Sequence, residues 1–383
     1  MRITIVQGAF LPVPPLLGGA VEKVWFSLGK EFARRGHEVT HVSRAFKDLP
    51  AREVIEGVHH RRVSGFPSPA TTPRRLLQDF WYALRAMSQL PPADILVTNT
   101  FWLPALELRR SRGRAYVHVA RYPKGQLKFY RRAILQTVSE PIRQAILAEL
   151  PRADKRVRVI AYPLADRYLR PEAGEASHTL LYTGRVHPEK GVHLLVQAFA
   201  RLSPADRASW RLQIVGPSEI AYGGGGKNYL AELHAAAASV SGNVEFVGRV
   251  FDEKRLIEHY NNASIFVYPS LAERGETFGL SVLEAMAAGC APLVSNLACF
   301  RDFIRPEVNG QIFDHRVSEP VESLVAALAA MLRDRESTAR IRQAAWLTAR
   351  EYTLSKIASQ FLGDFAQLSG KDPFPGNPAT GSA

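Results

Sequence analysis

Two rhythms alternate along the chain. Short uninterrupted apolar runs predict strands buried on both faces, and longer stretches with apolar residues every three or four positions predict amphipathic helices. In the first half, residues 3–6, 37–42, 95–98, 115–119 and 134–138 read as strands, and 19–35, 74–89 and 141–150 as helices. Gly36, between Arg35 and His37, is placed to stop the first helix before the next strand. Ser139 is placed to cap the helix that follows it. Residues 157–163 read as the last strand of this half. The polar stretch 164–178, holding Pro171 and Gly174, reads as a linker.

The alternation then restarts. Residues 179–183, 210–215, 244–247 and 264–268 read as strands, with helices over 192–202 and 253–260. Pro269 stops the last of these strands, and a helical pattern of Leu280, Leu283, Met286 and Ala287 follows. Further helices are expected over 338–350 and 354–368, and a disordered Pro-, Gly- and Ser-rich tail from Gly370. The glycines from Gly223 to Gly226 read as a flexible loop. Repeated strand–helix alternation implies parallel sheets covered by helices, here two Rossmann-like domains in tandem. Ligands in such folds bind beyond the carboxyl ends of the strands, which predicts a site in the cleft between the domains.

A length of 383 residues agrees with two domains, and 46% hydrophobic with 22% charged residues is ordinary for a globular protein. The two cysteines, Cys290 and Cys299, suggest no disulfide framework, so a reducing cytoplasm is expected. The first apolar run is too short for a signal peptide, and none reaches the ~20 residues that cross a bilayer. Charge changes the picture more. Residues 1–170 carry 29 Lys and Arg against 13 Asp and Glu, an excess of +16, whereas the remainder carries 20 against 23. An anionic partner for the first half is expected, and an anionic membrane surface suits it best, since no nucleic-acid-binding signature accompanies the charge.

The most informative stretch runs from Glu273 to Glu284. Glu276 falls in the loop after a strand, and Glu284 about one turn inside the next helix. Around Thr277, Phe278, Gly279 and Leu280 the helix start offers amides without intrahelical partners, which suit an anion or sugar hydroxyls. A carboxylate beside them can accept two hydroxyls of a polyol. A pair of glutamates at this spacing is common on solvated helix faces; the strand before it and the Phe-Gly turn give it weight. Upstream, Gly184-Arg185 follows a predicted strand and Lys190 precedes a helix, so the two cations can converge on a diphosphate. Gly18-Gly19 offers a second close approach for phosphate or sugar, without the spacing of a dinucleotide fingerprint. With no Asp-x-Asp pair, a metal-independent site without cofactor is expected.

The segment Glu273–Phe303, with Glu284-Ala285-Met286-Ala287 inside it, resembles the E-x7-E signature of retaining, nucleotide-sugar-dependent glycosyltransferases of the GT-B fold, family 4 (group 1). The resemblance implies an acceptor domain over 1–168, a donor domain over 169–352, a crossover helix over 353–369 and a tail over 370–383. It gives Arg185 and Lys190 the donor pyrophosphate, and Glu276 the donor sugar. It places Gly184, Gly216 and Val250 near the nucleotide, and His118 against the transferred sugar. Where the family often has Asn-Pro, this chain has Tyr162-Pro163. The implied reaction is retaining transfer from a nucleotide sugar to a saccharide acceptor, lipid-linked, in surface polysaccharide or glycolipid assembly at the inner face of the cell membrane. A non-catalytic sugar-nucleotide or polysaccharide-binding protein is the alternative, and the intact Arg185, Lys190, Glu276 and Glu284 argue against it.

Overall fold

The computed structural model describes residues 1–69, 71–172 and 177–373. The chain divides into two compact units, Met1–Pro163 with Leu354–Ala383, and Leu164–Thr353.

Unit 1 holds β1 (Arg2–Val6), β2 (Glu38–Arg44), β3 (Arg52–Ile55), β4 (Val58–Val63), β5 (Ala93–Thr98), β6 (Arg112–Val119), β7 (Ile134–Thr137) and β8 (Val157–Val159). Among the described residues these form one sheet in the order β3-β4-β2-β1-β5-β6-β7-β8. All neighbours are parallel except the β3–β4 pair. Helices α1 (Ala20–Arg34), α2 (Thr72–Ser88), α3 (Leu103–Leu106) and α4 (Glu140–Glu149) connect the strands. The hairpin β3–β4 escaped the sequence reading because two of the three buried positions of β4, His60 and Arg62, are polar. Arg62 is buried there, and its guanidinium is satisfied by the carbonyls of Val13 and Pro50 and by Glu53.

Unit 2 holds β9 (Thr179–Thr183), β10 (Arg211–Val215), β11 (Val244–Gly248), β12 (Ile265–Tyr268), β13 (Ala291–Ser295) and β14 (Gln311–Phe313). Its sheet is parallel, in the order β11-β10-β9-β12-β13-β14. Its helices are α5 (Val192–Arg201), α6 (Pro204–Arg207), α7 (Gly226–Ala236), α8 (Glu253–Asn261), α9 (Leu280–Ala287), α10 (Pro320–Arg333) and α11 (Arg335–Ala349).

The last helix, α12 (Leu354–Ser369), belongs to unit 1 and packs on α1. Phe361 meets Trp25 edge-on at 5.1 Å, and Phe365 meets Phe32 at 5.8 Å. Asp364 accepts from Tyr116 and pairs with Arg158, so a carboxylate inside this contact is fully partnered. Beyond Gly370 the chain still makes bonds. Lys371 pairs with Asp94, and the Pro373 carbonyl lies 3.0 Å from His37 Nε2. The rest of the expected tail, 374–383, lies outside the described residues.

Three expectations are corrected. Residues 164–170 belong to unit 2: Leu164 and Tyr168 are buried, and Arg170 N–H donates to the Ala287 carbonyl. The remainder of the expected linker includes 173–176, outside the described residues. Ser139 stands at the start of α4, but its hydroxyl makes no capping bond and is buried without a partner. The glycines after Tyr222 are held by backbone bonds: Gly224 N–H to Glu219, Gly225 to Val186 and Gly226 to Ser218. Gly226 then opens α7, so the helix that follows owes its start to this turn. Among the described residues no helix is long and apolar enough to cross a membrane.

Candidate active site

In unit 2, β9 lies between β10 and β12, and the chains leaving β9 and β12 turn to opposite sides of the sheet. Such a reversal opens a crevice over the carboxyl ends of the two strands. Both predicted donor loops begin there, Gly184 directly after β9 and Pro269 directly after β12.

Backbone contacts hold the two loops together. Leu271 N–H donates to the Glu189 carbonyl at 2.8 Å. Gly191 has φ +67°, and a Cβ there would lie 2.0 Å from the Pro269 carbonyl oxygen, so only glycine admits the approach. As a result Lys190 on the first loop meets Glu276 on the second, Nζ to Oε2 at 2.7 Å. The Tyr268 hydroxyl donates to the same oxygen at 3.0 Å, and Ser270 Oγ lies 3.4 Å away. Burial, reinforced by the Glu276 charge, holds the Tyr268 phenol well above its ordinary pKa, so it remains a donor. The Lys190 ammonium also sits 5.6 Å from the centre of the Tyr268 ring, which stacks on Tyr182.

Arg185 has a partner of its own. One guanidinium nitrogen lies 2.5 Å from Glu189 Oε1, and another donates to the Gly223 carbonyl at 3.1 Å. The side chains of this ion pair are 44% and 40% exposed. Exposed pairs of this kind are worth about 0–1 kcal/mol, so a stronger anion can take the guanidinium from Glu189. The two predicted phosphate-binding cations thus lie on one loop, each facing its own carboxylate.

Glu284 projects from the second turn of α9. Tyr260 donates to its Oε2 at 3.1 Å, and Thr183 Oγ1 lies 2.6 Å from the same hydroxyl. Each glutamate of the motif is therefore backed by a buried tyrosine. Gly279 precedes α9 with φ +88°. Phe278 turns inward against Phe303 and Tyr352, which anchors the loop and leaves the Thr277–Leu280 backbone over the start of α9. Gly184 N–H donates to the Val215 carbonyl, and Gly216 N–H to the Gly248 carbonyl, so the ends of β9, β10 and β11 are stepped together. Val250, half-buried, follows beside Arg249. The Arg249 guanidinium is sandwiched 3.5 Å from the Tyr222 ring and 3.8 Å from the Phe251 ring.

In unit 1, Gly18 and Gly19 have φ +80° and +96° and lead into α1. A Cβ on Gly19 would lie 2.2 Å from Glu22 Oε2, so the glycine makes room for a buried carboxylate. Burial raises the pKa of Glu22, against the opposing charge of Arg121. His118 is buried near the end of β6, with Nδ1 2.5 Å from Gln136 Oε1 and Nε2 3.3 Å from the Tyr162 hydroxyl. The Gln136 amide nitrogen donates to the carbonyls of Thr137 and Ile160, which leaves its oxygen to accept. The neutral ring therefore carries its proton on Nδ1 and accepts from Tyr162 on Nε2. Burial lowers the His118 pKa to about 4, so the ring is uncharged near neutrality.

Sequence reasoning missed Tyr260, Tyr268, Gln136, Glu22 and the Arg249 sandwich. Tyr268 closes an apolar strand and Tyr260 an amphipathic helix, where buried aromatic residues are expected for packing alone. Only the carboxylates opposite them reveal the second role.

The profile of glycosyl transferases group 1 matches residues 170–347, and that of glycosyltransferase family 4 matches residues 18–164. The chain is 28% identical over 189 residues to a lipopolysaccharide 1,2-N-acetylglucosaminetransferase of Salmonella typhimurium, 49% of this chain and 48% of that one. It thus spans about half the length of the curated relatives it matches first. Among solved structures, sucrose-phosphate synthase of Thermosynechococcus elongatus is similar with a TM-score of 0.74 at 19% identity, covering 97% of this chain and 99% of that one. HepE of Anabaena, solved in complex with UDP, gives 0.71 at 18% identity, covering 96% and 100%. With two α/β sheets, parallel but for one edge hairpin, and profiles matched over both halves, the chain belongs to the group 1 glycosyltransferases of the GT-B fold.

Proposed function

We propose that this glycosyltransferase binds a nucleotide-sugar donor on unit 2 and transfers the sugar, with retention and without metal, to a saccharide acceptor received by unit 1. The observation that carries the reading is the Lys190–Glu276 contact between the two donor loops, with Arg185 and the start of α9 on those same loops. A diphosphate needs cations and amide donors, and a hexose needs a carboxylate for its hydroxyls; this crevice offers both. Arg185 exchanges Glu189 for the diphosphate, and Lys190 neutralises charge that grows on the leaving nucleotide. Thr277, Phe278, Gly279 and Leu280 present backbone to the donor, and Glu276 orients the sugar. Glu284, held by Tyr260, takes the ribose hydroxyls, with Gly184, Gly216 and Val250 lining the nucleotide.

In the retaining step the bond from the anomeric carbon to the diphosphate oxygen breaks. The acceptor hydroxyl bonds the same carbon from the same face, and its proton passes to the departing phosphate. No side chain is then the nucleophile. Neutral His118, fixed by Gln136, offers its position to a hydroxyl of the transferred sugar, and Gly18-Gly19 allows close approach of donor or acceptor. UDP in HepE supports a nucleoside diphosphate as leaving group. The lipopolysaccharide enzyme supports a lipid-linked acceptor in polysaccharide or glycolipid assembly, and with it work in the cytoplasm at the inner face of the membrane.

Incubation with a panel of nucleotide sugars, with and without lipid extract, tests the reading. Nucleotide release from one donor class is expected, stimulated by an extract holding acceptor. Binding of nucleotide sugars with no turnover under either condition would favour a non-catalytic binder.

A further inference from the structure

Helix α2 is apolar on two faces. Inward, Tyr82, Ala83 and Ala86 are buried against Val6, Val42 and Leu96. Asp79, the only acidic residue of the helix, also points inward and accepts from the Phe101 and Trp102 amides at 3.0 and 3.1 Å. Outward, Leu77, Trp81 and Leu84 are 59%, 51% and 38% exposed. Their spacing of four and three places them on one stripe, with exposed Arg74 at one end and Arg85 at the other. The inward face already accounts for the packing of α2, so the stripe is surplus to folding.

A second patch shares the same support. Trp102 Nε1 donates to the Leu76 carbonyl at 2.9 Å, and the Tyr130 hydroxyl donates to the Phe101 carbonyl at 2.6 Å. Helix α2 and the turn 126–132 are therefore both fastened to residues 101–102. On that turn Phe129 is 56% exposed, and Lys128, Arg131 and Arg132 around it are exposed. From Leu108 to Ser139 the chain carries nine Lys and Arg and no Asp or Glu.

We infer that the α2 stripe and the 126–132 turn form the face by which unit 1 lies on an anionic lipid bilayer. Leu77, Trp81, Leu84 and Phe129 enter the boundary between headgroups and acyl chains. Arg74, Arg85, Lys128, Arg131 and Arg132 meet the phosphates. A polyanion such as RNA would engage the cations and stack on the aromatic rings, but it has no use for Leu77 and Leu84. The inference rests on the proposed lipid-linked acceptor for its purpose and on α2 and the 126–132 turn for its evidence.

Sedimentation of the full chain with vesicles of phosphatidylcholine alone, or with a quarter phosphatidylglycerol, tests it. Binding to the anionic vesicles is expected to be at least about tenfold tighter, and to weaken as salt rises. Leu77→Ser with Trp81→Ser should lower it about tenfold while leaving its salt dependence in place. Arg131→Gln with Arg132→Gln should flatten the salt dependence. Circular dichroism on each variant verifies the fold. Sugar-nucleotide binding measured on the same proteins should not move, so its absence from the parent would count against the proposed enzyme and leave the surface standing. Equal binding to neutral and anionic vesicles, or none, overturns the inference. So does tighter binding to an RNA homopolymer than to vesicles, unaffected by the Leu77 and Trp81 changes.

Discussion

Lys190 and Glu276, 86 residues apart in sequence, meet at 2.7 Å with Tyr268 donating to the same carboxylate oxygen. The side chains are only 9% and 12% exposed, so neither charge is left to solvent. Lys190→Met removes the cation proposed to face the diphosphate, and turnover is expected to fall on the order of 10²–10³-fold, as for other preorganised transition-state donors. Glu276→Gln keeps the shape and removes the charge, and should depress transfer with every donor. Steady-state kinetics on both variants provide the measurement. A Glu276→Gln enzyme that turns over like the parent contradicts the placement of this loop.

Tyr260 and Glu284 make a separable prediction about the nucleotide. Tyr260→Phe deletes one hydrogen bond to Glu284, a change worth about 1 kcal/mol, so affinity for the nucleoside diphosphate alone should fall about fivefold. Glu284→Ala should cost more, and equally for donors that differ only in their sugar. Calorimetric titration with the diphosphate and with two of its sugars separates this role from that of Glu276.

Gly191 and Gly18 contrast a blocked site with an open one. Both have positive φ, but a Cβ on Gly191 would strike the Pro269 carbonyl at 2.0 Å whereas Gly18 has nothing within 4 Å. Gly18→Ala should cost about 1 kcal/mol of strain, and Gly191→Ala that strain plus the displacement of the 269–279 loop. Urea unfolding midpoints compare them directly, and equal losses would mean the two donor loops are not locked as described.

Three buried histidines of its sheet give unit 1 a pH dependence with a definite sign. Burial lowers His60 and His118 to about 4 and His41 well below its ordinary value of 6.5. Between these values the unfolded chain binds more protons, so stability is present above about 6.5 and is lost as pH falls toward 4. Each histidine contributes a slope of up to about 1.4 kcal/mol per pH unit. Asp79, raised to about 6 by burial, works in the opposite direction, as does Glu22. The histidines outnumber them, so unfolding midpoints should fall from pH 6.5 to 4, and His60→Gln should flatten the fall.

The legible parts of the fold were those whose burial is apolar. Strands such as Ile3–Val6 and Ile265–Tyr268 announce themselves, and Gly36 marks the end of α1 as expected. The β3–β4 hairpin was hidden because it buries Arg62 and His60, and α7 because its first residue closes a glycine turn. The residues of the candidate site were visible as types and spacings, but their partners were not. Nothing in the sequence pairs Lys190 with Glu276 or Tyr260 with Glu284, since each contact joins loops or helices set by the strand order of the sheet. The exposed stripe of α2 was likewise invisible, because Leu77 and Trp81 share the helical period of residues that pack inward.

The central claim is that unit 2 binds a sugar nucleotide through Arg185, Lys190 and Glu284 without metal. Titration of the full chain with a panel of nucleoside diphosphate sugars in the presence of EDTA measures it most directly. Saturable binding of one nucleotide class is predicted, unchanged by the chelator and weakened at least about tenfold in both Lys190→Met and Glu284→Ala. Binding that appears only with added divalent metal, or that is the same in the parent and both variants, would contradict it.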